Sequence, residues 1–283
     1  MRSLRVILVS VVAAALLSGC VVRVVYNQLD WLVLWYVEGY FDLDAAGERQ
    51  ARELIGRTLE WHRREELPKY AAFFRRLASN PVGTVTPAFV AARYDEILVL
   101  WDELIRHASP DVASLLQGLS DEQAGDLFAK LAQENGELAA DYSGVTPEER
   151  RAKQDKSIVR AFQRFTGRLD AKQEAILRGR TAEMHDLSAD WLQRRADWQR
   201  AFRVLMAGRR TNPGFAERFA DLLLNPNQFD SPGYRELVVD NQQRAFAMVA
   251  AVVSSLSPSQ AEHLREHFAT YAADFEALAP NRN

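Results

Sequence analysis

The sequence predicts an all-α protein: a multi-helix bundle or curved helical array built from two similar halves and preceded by a lipoprotein signal peptide. Apolar residues recur at helical spacing almost throughout the chain. Runs of β-branched residues occur only in the first residues, just after Cys20, and at 249–253 within a helical pattern. Nearly half of the 283 residues are hydrophobic and about a quarter are charged, which is typical of a folded, soluble body.

The first nineteen residues have the pattern of a secretory signal. Arg2 and Arg5 precede an apolar run over 6–17, which is too short to span a membrane as a helix. The segment ends in Leu-Ser-Gly-Cys at 17–20, which resembles the lipobox of bacterial lipoproteins. The resemblance implies cleavage between Gly19 and Cys20, attachment of fatty acyl chains such as palmitate to the Cys20 thiol, and acylation of the new amine. A cleaved signal without lipid is the alternative.

Lipidation would place the protein in the bacterial cell envelope. Several acyl chains on one residue anchor a protein stably, and Val21 stands where retention in the inner membrane usually requires Asp. We therefore expect an outer-membrane anchor facing the periplasm. The formal charge of -3 becomes -5 without Arg2 and Arg5, so we expect no nucleic acid partner. Cys20 is the only cysteine and has no disulfide partner within the chain.

Residues 20–42 are predicted to form a lipidated N-terminus and a juxtamembrane aromatic helix. The segment contains Trp31 and Trp35, which lie four residues apart on one helical face. Such rings either sit at the level of the lipid headgroups or pack on the protein body. We expect packing, because a helical body is available to cover them.

The helical periodicity, caps and breakers predict ten helices in the mature chain. Their ranges are 27–40, 44–77, 87–107, 110–117, 120–141, 147–167, 170–207, 213–223, 232–255 and 258–278. Pro68 should kink the second, because proline removes a hydrogen bond of the helix and clashes with the preceding turn. Within 170–207, Leu177, Met184, Trp191 and further apolar residues recur at steps of seven, which predicts one long helix with a coiled-coil-like seam.

A short phrase recurs at three predicted helix starts. It consists of Leu, then Ser or Asp, then Gln three residues later, and it occurs at 119–123, 169–173 and 256–260. The Ser or Asp caps free amides, and the Gln reinforces the cap. Together with longer similarities it predicts two helical halves, 43–142 and 169–283, joined by a connecting helix within 143–168. Chance similarity between amphipathic helices is the alternative.

Three further phrases carry a family resemblance: Tyr-Asn-Gln-Leu-Asp-Trp at 26–31, Tyr-Phe-Asp-Leu-Asp at 40–44, and Trp-His-Arg-Arg-Glu-Glu-Leu-Pro-Lys-Tyr at 61–70. They resemble an uncharacterised family of proteobacterial lipoproteins, domain of unknown function 6279, over nearly the whole mature chain. The resemblance implies an all-helical envelope lipoprotein and no particular activity. Gly47 replaces the family's usual glutamine, which puts the first cap in doubt. The recurring phrase is also similar to the Leu-Thr-x-x-Gln motif of periplasmic proteins of the Spy and CpxP type, which bind unfolded proteins.

Few residues in the sequence point to catalysis. His263, Glu266 and His267 spell an inverted zincin motif, but the chain offers little room for the further carboxylate ligand, so His263 and His267 are weak metal candidates. His62 and His185 follow Glu60 and Glu183 at equivalent positions, which makes a paired acid/base site conceivable. We expect packing roles instead, and no cofactor.

These observations favour a non-enzymatic envelope lipoprotein that binds protein or maintains the envelope, with an unidentified partner. The candidate surface motif comprises Trp61, His62, Arg63, Glu66, Pro68 and Tyr70, and the helix over 170–207 would extend that surface. The alternatives are a chaperone-like periplasmic stress protein, a cell-wall or metal-dependent hydrolase, and a structural subunit of an outer-membrane assembly.

Overall fold

The computed structural model describes residues 19–280 and confirms the all-α fold class. In this range the chain forms helices and no β-strand. The predicted leader over 1–18 lies outside the described residues, and so do the side chains of 19–21, including the Cys20 thiol. None of the described helices is both long enough and apolar enough to cross a membrane.

The helices are numbered in chain order. They are α1 Gly19–Tyr26, α2 Leu29–Glu38, α3 Ala45–Trp61, α4 Leu67–Ser79, α5 Pro87–Gly118, α6 Asp121–Ser143, α7 Pro147–Thr166, α8 Ala171–Ala182, α9 Ser188–Ala207, α10 Phe215–Leu224, α11 Pro232–Ser254 and α12 Pro258–Leu278. A π-helical turn, His62–Glu66, joins α3 to α4, and two short 3₁₀ helices cover Val82–Thr84 and Pro226–Phe229.

The chain divides into two compact units, each built from three separate stretches. The described part of unit 1 comprises 19–66, 99–141 and 188–230, and that of unit 2 comprises 67–98, 142–187 and 231–280. These boundaries differ from those of the two predicted halves, which are consecutive in sequence. The halves stay a prediction about repeated sequence and do not describe the compact units.

The core of unit 1 is formed by apolar side chains of α5, α6, α9 and α10. Phe202 lies at its centre, with ring centroids 5.5 Å from Phe128 and 5.8 Å from Phe219. Trp198 packs at the edge and donates its indole N–H to the Leu222 carbonyl oxygen at 2.9 Å. Burial of one such ring contributes about 2–3 kcal/mol, so this cluster is a main source of stability in the unit.

Unit 2 contains two packed regions. Leu169, Leu177, Met248 and Val252 form a buried cluster between α8 and α11. Elsewhere α4 packs along α12, where the Phe74 ring lies 5.3 Å from Tyr271 and 5.7 Å from Phe275. This second region joins stretches that are about 200 residues apart in sequence, as the Arg75–Glu276 ion pair also does.

The recurring phrase forms a capping box at all three predicted places, which confirms its interpretation as a helix start. Asp170 with Gln173 and Ser257 with Gln260 exchange side chain and backbone bonds at the starts of α8 and α12, and Ser120 with Gln123 does so at α6. The flanking leucines at 119, 127, 169, 177 and 264 are buried.

Each capping glutamine also bonds a second helix start, a role that the sequence did not predict. The Gln173 amide donates to the Ser255 carbonyl at 3.0 Å, and the Gln260 amide donates to the Arg168 carbonyl at 2.8 Å. The two glutamine side chains also bond each other. The starts of α8 and α12 are therefore tied together reciprocally.

The start of α3 shows the expected effect of Gly47. Asp44 still caps the helix by accepting from the Ala46 and Gly47 amides, but without a glutamine there is no capping box. Gln123 from α6 still donates to the Asp42 carbonyl. Unit 1 thus has one glutamine bond from one helix start to another, whereas unit 2 has two reciprocal bonds.

The prediction of one helix over 170–207 is wrong. Residues 183–187 leave the helical path, so α8 and α9 are separate helices and the heptad seam is interrupted. The Asn241 side chain explains the break, because it accepts from the His185 N–H at 2.8 Å and donates to the His185 carbonyl at 2.9 Å. It satisfies the backbone groups that would otherwise favour continued helix.

Pro110 and Pro68 affect the helices around them differently. The helices predicted over 87–107 and 110–117 are one, because α5 continues through Pro110. Burial of Ala113 and Leu116 directly after it offsets the cost of proline in a helix. At Pro68 the expected disturbance is present as the π turn, whose wider ring accommodates the missing N–H.

The aromatic segment packs only in part. Leu34 is buried with Leu54 and Leu115, and Phe41 packs against the core of unit 1. Trp31 and Trp35, which we expected to pack on the body, are 57% and 50% exposed. That expectation was wrong, because α2 turns Leu34 toward the body and both tryptophans away from it.

Candidate functional site

The π turn brings together two of the phrases that carry the family resemblance. The Tyr26 hydroxyl and His62 Nδ1 are hydrogen-bonded at 2.7 Å, and the two rings lie 5.8 Å apart. The Arg63 guanidinium lies 5.1 Å from the centre of the Tyr26 ring and donates to the Asn27 side chain at 3.1 Å. The end of α1 is therefore fixed to the end of α3.

Trp61 completes this cluster, because its ring stacks on the His107 ring at 3.7 Å and 7°. Burial lowers the pKa of His62 to about 4, so this imidazole is neutral at physiological pH. A neutral His62 accepts or donates one hydrogen bond with Tyr26 and is not a cation available to an anionic ligand. We call Tyr26, Asn27, Trp61, His62 and Arg63 the π-turn cluster.

In the rest of the candidate surface motif, Glu66 is buried, and Pro68 and Tyr70 are half-buried. Glu66 is 0% exposed, and the next residue, Leu67, is also 0% exposed. A π turn contains more residues than an α turn, so it shifts the helical register and places two consecutive side chains inside. Tyr70, in unit 2, packs edge-on against Phe275 at 5.7 Å. The interpretation of this motif as an exposed patch was therefore wrong for Glu66.

The remaining phrase of the family resemblance, Tyr-Phe-Asp-Leu-Asp at 40–44, also has a structural role. The Tyr40 hydroxyl donates to Glu134, and Asp44 caps α3.

A family model described as a family of unknown function, DUF6279, matches residues 39–235, well over half of the chain. The chain belongs to DUF6279. No curated protein and no solved structure matches the chain.

The DUF6279 match defines which features belong to the family region. The π turn, the break before α9 and the first two capping boxes lie inside it, whereas α12 and the phrase at 26–31 lie outside. The resemblance to the family is confirmed, and its extent is smaller than the near end-to-end similarity expected from the sequence.

A buried polar network lies within unit 1 of this DUF6279 chain. Tyr36 donates to Tyr40, Tyr40 donates to Glu134, and Arg195 donates to Glu134 at 3.2 Å and to Asn135. Burial and the hydrogen bond to Glu134 raise the pKa of the Tyr40 phenol. The network carries a carboxylate and a guanidinium that neutralise one another, which is how buried charges are normally accommodated.

A shallow groove of about 240 Å³ lies beside this network, between α6 and α9. Phe128 and Leu131 form an apolar wall, Asn135 and Gln199 provide amides, and Arg203 stands at the rim. The Arg203 guanidinium lies 4.4 Å from the centre of the Phe128 ring, so the protein's own side chain covers part of the wall. We assign no ligand to this groove.

The remaining histidines are held by other side chains. His263 and His267 have ring centroids 4.7 Å apart, but among residues 19–280 no three His, Cys, Asp or Glu side chains are grouped to hold a metal ion. Burial and the neighbouring His263 lower the pKa of His267. His185 Nε2 lies 2.7 Å from an Asp240 oxygen and stabilises the break between α8 and α9. The paired acid/base site was a hypothesis that these surroundings do not favour.

Sequence reasoning missed Asn241 and Arg195. Both are single polar residues within helical patterns, and the groups that they satisfy are 56 and 61 residues away in sequence. No local signal distinguishes them from solvent-exposed polar residues. The only sequence property that could have found them is their placement near the apolar face of an amphipathic helix.

Proposed function

We propose that this DUF6279 protein is a lipid-anchored envelope lipoprotein, held in the outer membrane through Cys20, that acts by binding another protein and not by catalysis. The observation that carries the binding role is an apolar stripe on α5. Tyr94, Ile97 and Leu98, all in unit 2, are 38%, 49% and 42% exposed. Their spacing of three and four residues places them on one face of the helix.

The stripe has the dimensions of a helix-binding surface. Large side chains at i, i+3 and i+4 are part of the pattern by which amphipathic helices recognise each other. We therefore propose an amphipathic helix of a second protein as the partner. The internal pairing of His62, His185 and Glu134 with neighbouring side chains supports a binding role over a catalytic one.

The anchor is tested by mass spectrometry of the protein purified from membranes. We expect the N-terminal peptide to begin at Cys20 and to carry acyl chains, and we expect Cys20→Ser to leave the membrane fraction. An unmodified N-terminus that begins at Met1 would contradict the anchor.

The binding role is tested with a photo-crosslinking amino acid placed at Ile97 or Leu98 in living cells. The control position is Val204 on α9, which is 72% exposed and lies outside the stripe. We expect both stripe positions, and not Val204, to capture the same protein. That protein, once purified, should bind the unmodified chain and lose binding to Ile97→Asp. Capture of equal amounts of the same proteins at all three positions would refute a specific surface.

A further inference from the structure

The exposed aromatic face of α2 is a second unusual surface. Trp31 and Trp35 stack with ring centroids 6.5 Å apart and remain half exposed, while Leu34 on another side of the same helix is 2% exposed. Val24, on α1, is 63% exposed. The helix is therefore fixed to unit 1 by one side and presents two indole rings on another.

The place of these rings in the chain indicates what covers them. Trp31 lies eleven residues after Cys20, and because α1 and α2 rise 1.5 Å per residue with only a short turn between them, it lies within about 22 Å of that residue. The headgroup layer of a bilayer is about 5–8 Å deep on each side, and tryptophan is enriched there because its ring is apolar and its N–H is polar. We propose that Trp31 and Trp35 insert into the headgroup layer of the membrane. This inference rests on the proposed anchor at Cys20.

The segment between the anchor and the tryptophans is held in a defined position. Val22 and Tyr26 on α1 are each 7% exposed, and the Tyr26 hydroxyl bonds His62. Rings on a helix that is fixed to the body orient the body when they enter a membrane, whereas rings on a flexible tether would not.

The charges around these rings decide which lipid they prefer. Asp30 and Glu38 on α2 are both exposed, and Arg23 is the one basic residue between 20 and 38. The two helices therefore carry no net positive charge of their own to attract anionic headgroups. Insertion is therefore driven by the aromatic rings and should be as strong in zwitterionic as in anionic vesicles.

The test uses the mature protein, purified from membranes and reconstituted into phosphatidylcholine vesicles that contain a brominated lipid, which quenches tryptophan fluorescence on contact. We expect quenching in the unmodified protein and loss of most of it in Trp31→Phe/Trp35→Phe. The matched control is Trp101→Phe, because Trp101 is 52% exposed but lies on α5. The control should keep the quenching. Circular dichroism should show all variants to be folded, because the replaced rings are exposed.

The inference would be overturned by no quenching in the unmodified protein, or by equal quenching in Trp31→Phe/Trp35→Phe. Dependence of quenching on added anionic lipid would also refute insertion driven by the rings. The mass of the N-terminal peptide is measured on the same sample. Acylated Cys20 without quenching would remove this inference alone, and quenching with unmodified Cys20 would remove the proposed anchor alone.

Discussion

Several polar side chains of this protein make internal contacts that no local sequence pattern predicts. His62 is the clearest case, because its neutral ring is half-buried, packs against Tyr26 and lies in a turn where the helix widens. A histidine held neutral by burial makes folding sensitive to pH. The unfolded chain takes up a proton at the ordinary pKa of 6.5, whereas the folded protein does so only near 4.

We predict that His62 causes a loss of stability as the pH falls below 6.5. The stability is fully present above 6.5 and decreases toward pH 4, by about 2 kcal/mol between pH 7 and pH 5. Urea unfolding at a series of pH values should show this slope. His62→Gln should flatten it, with a remainder from His267, whose pKa is also lowered by burial. An unchanged slope in His62→Gln would mean that another group dominates.

The reciprocal glutamines give a second prediction. Gln173→Ala would leave the Asp170 N–H and the Ser255 carbonyl without their bonds in a site that is 1% exposed, so we expect a loss of about 2–4 kcal/mol. Gln123→Ala is the control, because that residue caps α6 and donates to one carbonyl, that of Asp42, at a less buried site without a second glutamine, and its loss should cost about 1 kcal/mol. Chemical denaturation measures both values. Equal losses would show that the Gln173–Gln260 tie adds nothing to capping.

A helix was predictable where the residues that specify its start and end lie next to it in sequence. The sequence predicts α12 over 258–278, as observed, because Ser257, Pro258 and Gln260 specify its start. The C-terminal end of α8 and the π turn were not predictable. One depends on Asn241, which is distant in sequence, and the other on a choice between kinking and widening the helix at Pro68 that packing decides.

Glycines inside the helices offer a prediction about element stability. Gly56 in α3 and Gly136 in α6 have no atom within 4 Å of an added Cβ, so alanine at each should stabilise the protein by about 0.5–1 kcal/mol. Gly167 is the control, because its φ of 74° strains any residue with a side chain, and Gly167→Ala should destabilise. Thermal unfolding followed by circular dichroism would show opposite shifts in melting temperature. A lower melting temperature in Gly56→Ala would contradict the open surroundings of that position.

The organisation of the whole chain was the least predictable property. The two predicted halves follow one another in sequence. Each compact unit is instead built from three stretches that alternate along the chain with those of the other unit. The core of unit 1 takes Phe128 from the first predicted half and Phe202 from the second. Unit 2 likewise needs α4 and α12.

We therefore predict that neither predicted half folds alone. The fragments 43–142 and 169–283 each contain parts of both units and should unfold without a cooperative transition, because their core side chains lack partners. The full mature chain is the control and should unfold cooperatively in the same urea series. A sharp transition in an isolated half would show that the halves are domains after all.

The packing of α4 along α12 also determines when folding can finish. The Phe74 ring meets Tyr271 and Phe275, about 200 residues later in the chain, so α12 must be synthesised before this region can close. Contacts between distant parts of a sequence slow folding. Under the proposed export to the envelope, such a delay would keep this region from closing before the chain has crossed the membrane.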